Sequence, residues 1–116
     1  MQSAHVHRIR TGIRNWDAVV ALYDALLSVS DSPVVAINRA VARAETDGAD
    51  VALADLDKLS SDARLKTYQP YWAARAALLA RTGAKDEARE AYDIAIGLEH
   101  DPASRRFLQQ RRAELD

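Results

Sequence analysis

The sequence contains no cysteine in its 116 residues, which excludes disulfide bonds and thiolate metal sites. No apolar stretch approaches the roughly 20 residues that a membrane-spanning helix needs, and the N-terminus lacks the apolar core of a signal peptide. We therefore expect a cytoplasmic protein with no membrane partner. A chain of this length is expected to form a single domain over residues 1–116.

Motifs that carry chemistry are also missing. The chain has only four glycines, with neither a phosphate-binding glycine loop nor a nucleophile elbow. His5 and His7 would point about 200° apart on a helix, His100 is isolated, and no carboxylate is spaced to complete a metal site. Asp86 and Glu87 fit the acidic first turn of a helix better than an acid–base pair. The sequence predicts a protein that is not an enzyme, with no catalytic residue, cofactor or metal.

Charge is unevenly distributed, although the net charge is only −1. Residues 1–16 carry three arginines and no acid, and residues 17–62 carry nine acids against three bases. Residues 63–116 carry ten bases and eight acids. A basic field over the whole domain, which nucleic-acid binding needs, is missing. We therefore expect contacts with proteins, and no specific DNA binding by this domain alone.

A repeat runs through the sequence. Residues 15–33 align without gaps on residues 84–102, an offset of 69, and residues 39–59 align on residues 75–95, an offset of 36. A unit of 33 to 36 residues therefore occurs about two and a half times, and such a period is typical of helix–turn–helix repeats. The last unit resembles a tetratricopeptide (TPR) repeat in the spacing of Trp72, Ala76, Gly83, Ala88, Tyr92 and Ala95. The prediction is an all-α, antiparallel helix–turn–helix array resembling TPR repeats, with a C-terminal capping helix.

Residues 31–45 test this interpretation, because their β-branched run resembles a strand. Ser32 is a suitable N-cap and Pro33 suits the first helical position. Apolar residues then follow at spacings of three and four, which favours a helix that ends in a turn at Gly48. The residues at this spacing are Val34, Ile37, Val41 and Ala44.

The spacing of apolar residues predicts seven helices and a common core. The helices are expected near residues 3–10, 16–29, 33–46, 50–60, 69–82, 85–98 and 103–114. Between two of them, Leu65 and Tyr68 of the connection Ser60–Gln69 are expected to fold back onto the core. The residues predicted to be buried are Trp16, Leu22, Leu26, Ile37, Ala40, Val41, Leu56, Leu59, Trp72, Ala76, Leu79, Ala88, Tyr92, Ala95, Phe107 and Leu108.

Arg39 and Arg75 occupy equivalent repeat positions, where the TPR consensus usually has an apolar residue. We expect both to face inward, where an unpaired charge costs several kcal/mol. Either each forms an ion pair with a neighbouring helix, through Asp24 or Asp57, or both face a groove that binds a partner. Asn38 could complete either arrangement. The candidate strip is therefore Asn38, Arg39 and Arg75, and removing an arginine with an internal partner would cost about 3–5 kcal/mol.

The segment RRFLQQRR, residues 105–112, has four arginines within eight residues. Such a cluster is found in nucleic-acid-binding proteins, but here the basic surface is one short patch. Arginines in a last helix also favour its C-terminal dipole and solubility. We interpret the patch as structural.

Six short sequence segments together give a second resemblance to a known family. They are Trp16-Asp17, Leu22-Tyr23-Asp24, Ser32-Pro33-Val34-Val35, Asn38-Arg39-Ala40-Val41-Ala42, Ala73-Ala74-Arg75-Ala76 and Arg105-Arg106-Phe107-Leu108. With them, residues 15–115 resemble the TPR-like C-terminal extension of one group of bacterial extracytoplasmic-function (ECF) RNA polymerase sigma factors. The first fifteen residues and Ser104 depart from that family.

The resemblance implies a non-catalytic domain that acts in transcription initiation. Its partners would be its own sigma-factor N-terminal domains, which would precede this chain, or RNA polymerase. The residues leave one alternative open, a free-standing TPR-like adaptor that binds a peptide or protein partner.

Overall fold

A computed structural model describes residues 15–115 of the chain. That part contains six α-helices, one short 3₁₀ helix and no strand, which confirms the all-α prediction. The helices are α1 (Trp16–Val29), α2 (Pro33–Thr46), α3 (Ala49–Lys58), α4 (Gln69–Arg81), α5 (Lys85–Leu98) and α6 (Pro102–Ala113), with the 3₁₀ helix Ala63–Leu65 between α3 and α4. Each of these six helices begins and ends within two residues of its predicted bounds. The helix predicted at 3–10 lies outside the described residues.

Side-chain caps fix the starts of two helices. The Ser32 hydroxyl accepts a hydrogen bond from the backbone N–H of Val35 at 3.3 Å, and Pro33 occupies the first helical position, as predicted. At the start of α6, the Asp101 carboxylate accepts from the backbone N–H of Ser104 at 2.9 Å. Both helices therefore begin where the sequence supplies an acceptor for otherwise unpaired N–H groups.

Two glycines allow tight turns between successive helices. Gly48 has a φ of 102° just before α3, and Gly83 has a φ of 86° just before α5. Such positive angles are strained for residues with a Cβ atom. Short turns of this kind return the chain along the helix that it has just completed.

Consecutive helices pack against one another, and α2 also contacts α4. The first core cluster consists of Ile37, Ala40, Ala44, Ala52, Leu56, Leu65, Tyr71 and Leu78. The second core cluster consists of Ala76, Leu79, Ala88, Ala91, Tyr92, Ala95, Leu108 and Leu115. Leu53 and Trp72 contact both clusters and join them. Six of these buried residues are completely inaccessible alanines, which let helix backbones approach closely.

The long connection between α3 and α4 folds onto the core as predicted. Leu65 is buried in the first core cluster and Tyr68 packs beside it. The indole N–H of Trp72 donates to the Lys66 carbonyl at 3.0 Å, and the Tyr71 hydroxyl donates to the Leu56 carbonyl at 3.4 Å. The first bond attaches the connection to α4, and the second joins α4 to α3.

The prediction of buried residues was wrong at Leu22, Leu26, Val41 and Phe107, which are exposed. Three of them lie on helices at the two ends of the described array, where α1 packs mainly on α2 and α6 mainly on α5. Trp16, Leu59 and Trp72 are half-buried, and the other nine are buried. The apolar pattern identifies a face that can be buried, whereas the neighbouring helix decides whether it is. No helix between residues 15 and 115 is both long and apolar enough to cross a membrane.

Candidate functional site

Arg39 and Arg75 each face the helix that precedes their own. The Arg39 Nε donates to Asp24 Oδ1, which joins α2 to α1. The Arg75 Nη1 donates to Asp57 Oδ1 at 2.6 Å, which joins α4 to α3. These are the partners named by the ion-pair interpretation. The two equivalent arginines therefore make equivalent contacts between helices.

A third arginine–aspartate pair joins α5 to α6 in the same way. The Arg112 Nε donates to Asp93 Oδ1 at 2.6 Å, and Arg112 Nη2 lies 3.3 Å from Asp93 Oδ2. Sequence reasoning assigned Arg112 to the basic patch and missed this role. Its signal is spacing, since Arg112 follows Arg75 by 37 residues and Arg75 follows Arg39 by 36. We call these three contacts the Asp–Arg ladder: Asp24–Arg39, Asp57–Arg75 and Asp93–Arg112.

The Asp–Arg ladder lies at the rims of the helix contacts. The Arg75 side chain is 23% exposed and its partner Asp57 is 61% exposed, and no charged residue is buried between residues 15 and 115. Arg39 and Arg75 do face neighbouring helices, but they are half-buried, so the assumption of a buried charge does not hold. An arginine covers apolar surface with its aliphatic stem while its guanidinium reaches water. Ion pairs so exposed contribute about 0–1 kcal/mol each.

Asp55 is the most enclosed acid of this region, with a side chain only 12% exposed. Its carboxylate accepts from Arg43 Nη1 at 2.8 Å and from Arg39 Nη1 at 3.4 Å. Arg43 Nε also donates to Asp47 at 3.1 Å, and this bond is the main cause that raises the pKa of Arg43 above its ordinary value. The network ties α1, α2 and α3 together around one carboxylate. The sequence signal for it is an acid and a base on opposite sides of the Gly48 turn.

An open cleft of about 260 Å³ lies beside this network. Its lining residues are Leu27, Ala36, Arg39, Arg43, Asp55, Lys58 and Leu59. Because Arg39 and Arg43 already have carboxylate partners, the cleft is not a strongly cationic site. Asn38 is exposed and its side chain has no hydrogen-bond partner among residues 15–115, so the structure does not bring it together with the arginines. No group of three His, Asp or Glu residues within 15–115 could hold a metal ion.

The basic segment of α6 is largely engaged within the fold. Arg105 Nη2 donates to the Glu99 carbonyl at 2.6 Å, which caps the end of α5. The guanidinium of Arg111 lies 5.9 Å from the ring centre of Phe107, in cation–π geometry. Arg112 belongs to the Asp–Arg ladder. These contacts agree with a structural role for the segment.

A second open groove, of about 450 Å³, lies between α4 and α6. Phe107 lines it and is 61% exposed. The groove also contains Gln69 and Glu99, so its lining is partly polar. Exposed apolar surface of this kind is common where proteins contact their partners.

Comparison with known proteins gives one informative match. The chain is 36% identical over 112 residues to an uncharacterized protein of Rhizobium meliloti (strain 1021). The match covers 97% of this chain but 25% of that protein, so the chain spans about a quarter of its length. No family model and no solved structure matches the chain. The comparisons therefore assign neither a family nor an activity.

Proposed function

We propose that the chain is a non-catalytic protein-interaction module, built as a TPR-like array, that serves an ECF-type sigma factor. The observation that carries the proposal is the Asp–Arg ladder, because the same contact recurs at three helix junctions, as expected of a repeat. The paired helices α2–α3 and α4–α5, each joined by a tight turn, support the same interpretation. A stacked array of this kind presents extended surfaces for a protein partner.

The sigma-factor part of the proposal rests on the six short sequence segments that resemble the sigma-factor extension. Several of them include the ladder residues Asp24, Arg39 and Arg75. In this role the module contacts its own sigma domains or RNA polymerase, in the cytoplasm, and contributes no catalysis. The second candidate function is a free-standing adaptor. It is favoured by the open groove at Phe107, which has the size and mixed lining of a peptide site.

The test has a genetic and a biochemical arm. The DNA upstream of codon 1 is read for an open frame that encodes sigma-type helices. The labelled chain is then titrated with those domains and with bacterial core RNA polymerase. We expect the frame to be present and at least one of the two to bind. An upstream frame without sigma-type helices, together with no binding to polymerase, would refute the sigma role and favour the adaptor.

DNA binding provides a separate check. The basic residues are confined to short stretches, and Arg105 and Arg112 have partners within the fold. We therefore expect the isolated chain to bind duplex DNA non-specifically, at about 10⁻⁴ M or weaker in physiological salt. Sub-micromolar, sequence-selective binding in an anisotropy titration would contradict a role through protein contacts.

A further inference from the structure

We draw no further inference here: the strongest candidate, the exposed apolar stripe of Leu22, Leu26 and Val29 on α1, carries none because nothing in the part of the structure that spans residues 15–115 shows what covers it.

Discussion

The helices α1 and α5 occupy equivalent repeat positions but bury their residues differently. In α1, 11 of 14 residues are apolar and none is buried. In α5, seven of 14 are apolar, and Ala88, Ala91, Tyr92 and Ala95 are all buried. The less apolar helix therefore contributes more to the core. In a repeat array the neighbours on both sides determine burial, and the composition of a helix alone does not.

The largest expected difference is between a buried and an exposed leucine. Leu56 of α3 is completely buried, so Leu56→Ala should reduce the free energy of unfolding by about 2–5 kcal/mol. Leu22→Ala should cost about 0.5 kcal/mol or less, because Leu22 is already mostly in water. Chemical denaturation of the two variants measures both values. Comparable losses would mean that Leu22 is covered in solution and that α1 and α5 do not differ as described.

Exchanging the equivalent residues makes the comparison sharper. Ala91→Leu introduces the residue of α1 into the closely packed α4–α5 contact, and overpacking should cost about 1–3 kcal/mol. The control Glu90→Leu introduces the same side chain at an exposed position of α5 and should be close to neutral. Thermal and urea unfolding distinguish the two. If Ala91→Leu is as neutral as its control, the helices are not packed as closely as the buried alanines indicate.

The arginines of the Asp–Arg ladder should have a smaller effect than sequence reasoning predicted. Full burial would have made Arg39→Ala and Arg75→Ala cost about 3–5 kcal/mol. Because Asp57 is more than half exposed, we expect Arg75→Ala to cost about 1 kcal/mol. Arg39→Ala should cost somewhat more, since Arg39 also donates to the enclosed Asp55. A double-mutant cycle of Arg75 and Asp57 measures the coupling, which should decrease in high salt; a coupling above about 3 kcal/mol would restore the buried interpretation.

The smallest effect concerns pH and the start of α6. The backbone N–H of Ser104, followed by its hydroxyl, lowers the pKa of Asp101 below its ordinary value. A carboxylate with a lowered folded-state pKa stabilises the fold above its unfolded pKa, and this stabilisation is lost as the pH falls through the folded one. An NMR titration should show Asp101 protonating at lower pH than an aspartate in an unstructured peptide. Asp101→Asn, which keeps a capping oxygen, should remove this titration and leave α6 formed.

The sequence predicted local structure well because its signals are local. Ser32 and Pro33 mark a helix start, Gly48 marks a turn, and the repeat offset correctly aligns α1 on α5. The exposure of Leu22 could not be predicted in this way. It depends on whether another helix lies beside α1, and the type of residue at position 22 does not determine this.

The candidate site was predicted in part. The partners of Arg39 and Arg75 were named correctly because the aspartates follow the same repeat. The position of the Asn38 side chain was not predicted correctly, because a residue next to an arginine on a helix points about 100° away from it. The role of Arg112 was missed because it was interpreted as part of a cluster of arginines, and its 37-residue offset from Arg75 was not considered.

The Asp–Arg ladder also affects how such a chain can change in length. Asp24 and Arg39 are 15 residues apart. Excision of residues 33–68, one repeat unit, would leave Asp24 and Arg75 at that same separation. The two helices brought together would then already carry a matching charge pair, so units can be gained or lost without a new contact having to arise at the junction. We expect the shortened chain to remain helical by circular dichroism, and loss of its helical signal would show that the junctions are not interchangeable.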